Sequence, residues 1–409
     1  MEIHKGHRFE LMPTGHQLRS MAQFAGCRRV VYNKALALQE ERRAQGLKRL
    51  SYARLCNELT AWRNSKETPW LADAPCGAEQ QALMDLCAAY TRFFQKLAAP
   101  PTFARKGERD GFRYPDPKQI KHDPANKRIF LPKLGWIRYR GGKGKHALKV
   151  LGELRSVTVS LRAGKWFMSI ATLQVVPDPI PQATSEVGID VGVARFATLS
   201  DGTVHPPLNS FRKHERRLAK AQRAMSRKTK FSKNWIKAKA KVQKIHSTIA
   251  NARRDFLHKT STAISKNHAA VYVEDLRIAN MTRSAKGTVE KPGRNVRAKS
   301  GLNKSILDQG WGEFRRQLEY KLSWNGGFFL AVDPAHTSRT CPQCGHCSAE
   351  NRKSQAVFAC VSCGHRENAD VVGAKNVLAR GQRVMACGGA VVSTPVKQEP
   401  TEAITQGNA

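Results

Sequence analysis

Acidic residues are scarce in this chain of 409 residues. Asp and Glu total 32 against 70 Lys and Arg, a net charge of +38. A surplus of that size repels itself unless a polyanion neutralises it. Nucleic acid is the partner it points to, because covering phosphates releases their counterions. An anionic membrane surface is the rival, but no basic amphipathic helix flanked by a lipid anchor stands in the sequence. Long apolar runs are also missing: none approaches the roughly 20 residues of a membrane span. Residues 1–10 are polar and lack a signal-peptide core. The expectation is a cytoplasmic protein with no membrane partner. A secreted disulfide framework is absent too. Of ten cysteines, Cys27, Cys56, Cys76, Cys87 and Cys387 are scattered and read as small buried hydrophobes, while five crowd into residues 341–363.

A chain this long divides into two or three domains, and it shows no internal repeat. Apolar residues recur at helical spacing over 16–41, 52–63 and 77–97, predicting an all-helical module. Pro100, Pro101, Pro115 and Pro117 then break the chain. Over 128–176 the pattern changes to short alternating runs (128–131, 136–139, 156–161 and 165–173), with turns at Gly135, Gly141, Gly142, Gly144 and Gly164. This reads as an antiparallel β module. Residues 175–181 hold three prolines and read as a linker. A hairpin from Val187 turns at Ser200-Asp201-Gly202. Residues 211–265 form a long basic helical stretch, with 17 Lys and Arg against Glu215 and Asp255 within 211–260. A short strand, 269–273, ends in Glu274. A polar loop over 283–304, a helix over 306–324, a strand over 328–332, the cysteine cluster and a short helix over 374–380 complete the order. The tail after Gly381 is small and polar and reads as disordered.

The cysteines carry the most specific local signal. Cys341-Pro-Gln-Cys344-Gly and Cys360-Val-Ser-Cys363-Gly are separated by 15 residues. Two such turns each aim a pair of thiolates at one ion, the spacing of a zinc ribbon. A redox dithiol is the rival. Such a site has no open coordination position, so its Zn²⁺ is structural. Cys347 stays outside the ligand set.

The next signal is carboxylates in a basic chain. Asp190 sits mid-strand in Gly188-Ile-Asp-Val-Gly192, with Ile189 and Val191 directed to the opposite face. A carboxylate there either faces solvent or holds a cation, since burying it alone is expensive. Glu274 ends an apolar strand, where acids also serve as helix caps. Asp370 precedes the last helix, where a plain N-cap is the rival. Taken together, three carboxylates at strand and helix ends suit two-metal phosphodiester cleavage, and oxygen ligands suit Mg²⁺. In the basic stretch, Phe231 and Trp235 either stack on bases or, as favoured, anchor one helix to another. His246 and His258 read as surface residues, Asp201 as a turn residue and Asp275 as a cap.

The order Gly-Ile-Asp-Val-Gly, Val-Glu-Asp-Leu, four-cysteine ribbon, Asn-Ala-Asp-x-x-Gly-Ala-x-Asn resembles the TnpB (OrfB) proteins of bacterial insertion sequences and the compact type V CRISPR effectors. So do Pro13-Thr-Gly-His-Gln17, Arg28, Tyr32-Asn33, Ala35-Leu36 and Asp308-Gln-Gly-Trp-Gly-Glu-Phe314. The match runs to about Arg380. The resemblance implies an α+β multidomain protein: a wedge-like, β-barrel-like module (1–15 and 121–178) and a helical recognition module (16–120). It further implies a RuvC/RNase H-like α/β nuclease domain (182–335 and 370–381) with an inserted zinc ribbon (336–369), then a disordered tail (382–409). It implies an RNA-guided, Mg²⁺-dependent DNA endonuclease that cuts double-stranded DNA beside a short motif. Its metal-binding catalytic residues would be Asp190, Glu274 and Asp370, with two catalytic Mg²⁺. One structural Zn²⁺ would sit on Cys341, Cys344, Cys360 and Cys363. Partners would be a guide noncoding RNA and the DNA target, with no small-molecule cofactor, in a bacterial cytoplasm near the nucleoid. The alternatives are a transposase or accessory protein acting without a guide, and a nuclease-inactive guided repressor; inactive relatives would be expected to lose one of the three acids. One departure stands out: the family often has Asn two residues after the last Asp, and Val372 stands there, removing a group expected near the metal.

Overall fold

The computed structural model describes residues 1–141, 150 and 152–387. Gly142 and Gly144, and the expected tail beyond Cys387, lie outside the described residues. The chain forms two compact units that meet in sequence at Val176 and Pro177, inside the proline-rich segment read as a linker.

The first unit opens with strand β1 (Glu2–Met12) and helix α1 (Gly15–Ala44). Thr14 and Gln17 form a capping box, each side chain accepting from the other's backbone N–H, which satisfies two orphan donors at the helix start. Gln17 is buried and also donates to the carbonyls of Leu134 and Trp136. Helices α2 (Tyr52–Asn64) and α3 (Cys76–Phe94) follow. Then come β2 (Gly111–Tyr114), β3 (Lys121–Asp123), β4 (Arg128–Leu131), β5 (Gly135–Arg140), β6 (Glu153–Arg162) and β7 (Lys165–Val175). They build one antiparallel sheet in the order β2-β6-β7-β1-β5-β4-β3. Among the described residues its edge strands β2 and β3 are not paired with each other, so hydrogen bonds do not close the expected barrel. Strand β2 lies within the segment read as purely helical. A single core joins Met21, Phe24 and Leu83 of the helices to Phe112, Ile137 and Ile170 of the sheet.

The second unit holds β8 (Glu186–Val191), β9 (Ala197–Leu199), β10 (Val204–His205), α4 (Ser210–Ser226), α5 (Lys233–Asn267), β11 (Ala270–Glu274), α6 (Ile278–Met281), α7 (Val296–Gln309), α8 (Trp311–Trp324), β12 (Phe328–Val332), β13 (Val357–Ala359), β14 (Arg366–Asn368) and α9 (Ala369–Ala386). Its five-stranded sheet runs β10-β9-β8-β11-β12. Strands β8, β11 and β12 are parallel, and β9 and β10 return antiparallel. The Ser200-Asp201-Gly202 turn therefore joins β9 to β10 rather than following one long strand; Asp201 accepts from the Thr203 N–H, a turn residue as expected.

The sheet is covered on both faces, which explains its nearly unbroken apolar runs. Val187, Ile189, Val271 and Val273 pack on Leu257, Ile264, Phe314 and Leu318 from α5 and α8. Ala270, Tyr272 and Val332 pack on Val377 of α9.

Several expectations change. The basic stretch is two helices, α4 and α5, closed by Leu218, Val242, Ile245 and Ile249. Phe231, at the turn between them, is 72% exposed, so it does not anchor one helix to the other. The polar segment 283–304 already contains the start of α7. Gly310, with φ +76, splits the helix read over 306–324 into α7 and α8, since a left-handed residue ends a helix. The last helix is 18 residues long, not the short piece read over 374–380. Cys27 is buried, but Cys76 and Cys387 are exposed. His246 is exposed, whereas His258 is half-buried and burial lowers its pKa.

Candidate active site

Strand alternation decides where the first carboxylate points. Ile189 enters the core against α5 and α8. Gly188 and Asp190 therefore face α9. The approach is close: a Cβ on Gly188 would overlap the Ala374 carbonyl, and one on Gly381 would overlap the Tyr272 ring. Glycine at both positions lets α9 lie directly on β8 and β11. One turn into α9, Gly373 stands over Asp190, and a Cβ there would meet Oδ2 at 3.1 Å.

Glu274 shares the α9 face of β11 with Tyr272 and Ala270, two and four residues before it. Asp370 occupies the first turn of α9. It is not the N-cap: Asn368 fills that role, its Oδ1 accepting from the Asp370 N–H at 3.1 Å. The Asp370 side chain is thereby left free of capping duty. Arg195 places Nε 3.9 Å from Asp370 Oδ2 and donates to Asn368 Oδ1 at 3.1 Å.

The electrostatics couple the three groups. Asp190 is pushed up to about 8 by burial, then by the charges of Glu274 and Asp370, with Arg352 opposing. Glu274 is also raised by burial, against a hydrogen bond from Thr337 and the charges of Arg380 and Arg352. A carboxylate raised by two neighbouring carboxylates in this way lacks a sufficient counter-charge. Asp275, the next residue, is not a cap; it forms an ion pair with Arg315.

No sequence motif points to Thr337, the residue that holds Glu274. Thr337 Oγ1 donates to Glu274 Oε1 at 2.7 Å. Asn376 of α9 in turn donates to the carbonyls of Thr337 and Thr340, each at 2.7 Å. Arg380 donates to the carbonyls of Asp333 and Ala335. Helix α9 thus clips the segment that carries Thr337. Val372 is fully buried with Cys341, Phe358, Cys360 and Ala369. Two helical positions after Asp370 is about 200° of rotation, so this side chain faces the ribbon and not the carboxylates. The expectation that its identity bears on the metal site is corrected accordingly.

The four ribbon cysteines meet. Cys341, Cys344, Cys360 and Cys363 bring their sulfurs within 4.8 Å of one another, the one such group of three or more ligand side chains found among the described residues. Cys341 to Cys363 and Cys344 to Cys360 are each 3.6 Å. A tetrahedron with Zn–S bonds of about 2.3 Å has edges of about 3.8 Å, so the cluster fits zinc. The knuckles repeat one geometry: the Cys341 and Cys360 N–H groups donate to the carbonyls of His346 and His365, and Gly345 and Gly364 take φ of +74 and +76. The three carboxylates are more open than this. A cavity of about 220 Å³ in the first unit, beside Pro75 and Lys133, contains none of these groups.

Comparison with known proteins agrees with this layout. Residues 169–285 match the OrfB model of IS605 elements, described as "Probable transposase". Residues 311–377 match "Cas12f1-like, TNB domain", a span that includes the ribbon and Asp370. Residues 1–48 match a "Helix-turn-helix domain", although here they form one strand and a single 30-residue helix. "Putative RNA-guided DNA endonuclease InsQ" of Escherichia coli K12 is 54% identical over 97% of both chains. The chain belongs to the TnpB (OrfB) family. A second TnpB relative, "Putative RNA-guided DNA endonuclease" of Streptomyces pristinaespiralis, is 32% identical over 98% of both chains. Among solved structures, a Cas12f1–sgRNA–target DNA complex overlaps 92% of this TnpB chain and 99% of its own at 16% identity, with a TM-score of 0.34; nothing about function is drawn from so loose an overlap. No helix among the described residues is long and apolar enough to cross a membrane.

Proposed function

We propose that this protein is an RNA-guided DNA endonuclease that cuts double-stranded DNA beside a short motif, with Asp190, Glu274 and Asp370 as its catalytic carboxylates. The observation that carries the reading is the seating of α9 on β8 through Gly188 and Gly373, which brings the Asp370 helix onto Asp190 on the face that Glu274 shares. The sheet, with three parallel strands and an antiparallel return, supports the RuvC-like assignment. The names of the two full-length relatives support guided cutting.

The donor set fits Mg²⁺. It is all oxygen, and the charges of Glu274 and Asp370 raise the affinity of Asp190 for a proton. Bound Mg²⁺ would activate the attacking water and stabilise the leaving 3′ oxygen. The protein's part is to hold the ligands still. Thr337 occupies one oxygen of Glu274 and leaves the other for a cation. Asn368 and Arg195 hold the start of α9. Cys341, Cys344, Cys360 and Cys363 would bind one Zn²⁺, which folds a segment too short to build a core of its own.

The test is to purify the protein from cells carrying its native locus and sequence the RNA that accompanies it. One dominant RNA ending in sequence from outside the element supplies the guide for a Mg²⁺-dependent cleavage assay on matching duplex DNA. Only heterogeneous cellular RNA, with cutting independent of it, would replace this reading with that of a transposase acting without a guide.

A further inference from the structure

The turn between α4 and α5 carries aromatic surface that the fold does not use. Phe231 is 72% exposed and Ile236 55% exposed. Phe231 and Trp235 lie 5.5 Å apart between ring centroids, at 59°. The hairpin's own apolar seam reaches only to Met225 on α4 and Val242 on α5, so both rings lie beyond it. Ser232 caps α5 by accepting from the Trp235 N–H at 3.2 Å, and its own N–H donates to the Thr229 carbonyl. The tip is therefore pre-shaped.

Two further observations say what covers it. From Arg223 to Lys244 nine residues are Lys or Arg and none is acidic. The helices' two acids are paired away from the tip, Glu215 with Lys304 and Asp255 with Lys259. Lys230 sits 5.3 Å from the Phe231 centroid and Lys239 sits 5.2 Å from that of Trp235. Phe231 also has φ +70, a left-handed backbone that a bulky residue seldom adopts. Strain retained at an exposed position, where packing gives nothing back, marks a side chain kept for contact with a partner. An aromatic pair ringed by lysines matches a nucleobase flanked by its phosphates.

We propose that Phe231 and Trp235 form a stacking tip that receives an unpaired base of bound nucleic acid, with the surrounding lysines taking the neighbouring phosphates. The proposal rests on the nucleic-acid reading of this chain and is independent of cutting.

The experiment uses the full-length zinc-loaded protein carrying Asp190→Ala, so that no probe is cleaved. Equilibrium binding is measured across salt concentrations with three labelled probes: an RNA duplex with a single-stranded overhang, the same in DNA, and a blunt RNA duplex. Phe231→Gly should weaken binding of an overhang probe about 5- to 100-fold, the range for loss of one stacked base. Whichever overhang responds, RNA or DNA, identifies the source of the base. The slope of log K against log salt should not change, because no phosphate contact is lost, whereas Lys233→Ala should reduce it by about 1. Phe231→Tyr should restore binding. Glycine relieves the positive φ, so the melting temperature should hold or rise and unfolding cannot explain a loss. Unchanged affinity of Phe231→Gly, or full rescue by Phe231→Leu, overturns the stacking role. Loss of binding to anionic vesicles, with nucleic-acid affinity intact, would assign the tip to a membrane instead and also overturns it. A parent protein that binds none of the probes overturns the nucleic-acid reading along with it.

Discussion

Gly373 of α9 stands against the carboxylate of Asp190, and a methyl group placed there would come within 3.1 Å of Oδ2 and 3.3 Å of Cγ. The position has room for a hydrogen and a carboxylate oxygen and little else. Gly373→Ala gains helix propensity of about 1 kcal/mol while pushing Asp190 aside. The expected outcome is a melting temperature that holds or rises and a cleavage rate that falls on the order of tenfold to a hundredfold, as small misplacements do. Unchanged cleavage would mean that Asp190 can move without consequence.

Asp190→Ala should abolish cutting while guide RNA and target DNA remain bound. Gel-shift and cleavage assays on one preparation check both halves. Residual cutting at the parent rate would remove Asp190 from the catalytic set.

Without divalent metal, Asp190 should make stability fall as pH rises. Its folded pKa is pushed up to about 8, above an ordinary value of 3.8. Below about pH 4 the group is protonated in both states. Between pH 4 and 8 the unfolded chain ionises and the folded protein resists, so stability is lost across that window. Asp190→Asn should therefore melt higher than wild type at pH 8 and equally at pH 4. Mg²⁺ should raise the melting temperature of wild type and not of the variant. Melting curves at two pH values, with and without Mg²⁺, decide it.

Thr337→Val removes the hydroxyl that holds Glu274 and keeps the shape. Such outer partners of metal ligands are worth about 10- to 100-fold in metal affinity or activity. The expected result is a higher Mg²⁺ requirement for cleavage with zinc content unchanged at one per chain. An unaltered Mg²⁺ titration would reduce the contact to a packing detail.

Val372→Asn would install the asparagine that the family resemblance leads one to expect, yet it would bury an amide beside Phe358 and Ala369. An unpartnered buried polar group costs about 1–3 kcal/mol. The variant should melt lower and cut no faster per folded molecule. Faster cutting would show that this position reaches the carboxylates after all.

Much of the candidate site was legible because its chemistry is conspicuous against its surroundings. A carboxylate between isoleucine and valine, and paired Cys-x-x-Cys-Gly turns, stand out in any basic chain. What stayed hidden depends on angle and distance. Asp370 read as a possible cap because its rival for that role, Asn368, is two residues away, and only the backbone says which one closes the helix. Val372 lies two residues from Asp370 in sequence but about 200° around the helix. Thr337 sits in a loop with no pattern, and its link to Glu274 spans 63 positions. Gly373 and Gly381, which bracket the short helix expected over 374–380, are in the fold the points where α9 touches Asp190 and Tyr272. Helix α7 was missed for a related reason: polar, basic residues and Gly301 concealed its start, and few of its side chains are buried.

Helix α9 carries Asp370 and Gly373 on one side and Ala369 and Val372 on the other. Each added or lost residue turns everything after it by about 100°. A single-codon insertion between Asp370 and Gly373 would therefore swing the glycine contacts and the Asn376 clip out of register while Asp370 stayed put, uncoupling sheet, ribbon lead-in and carboxylate in one step. In the polar segment before α7 an extra residue would add slack; here it would shift the phase of the carboxylate and ribbon contacts at once.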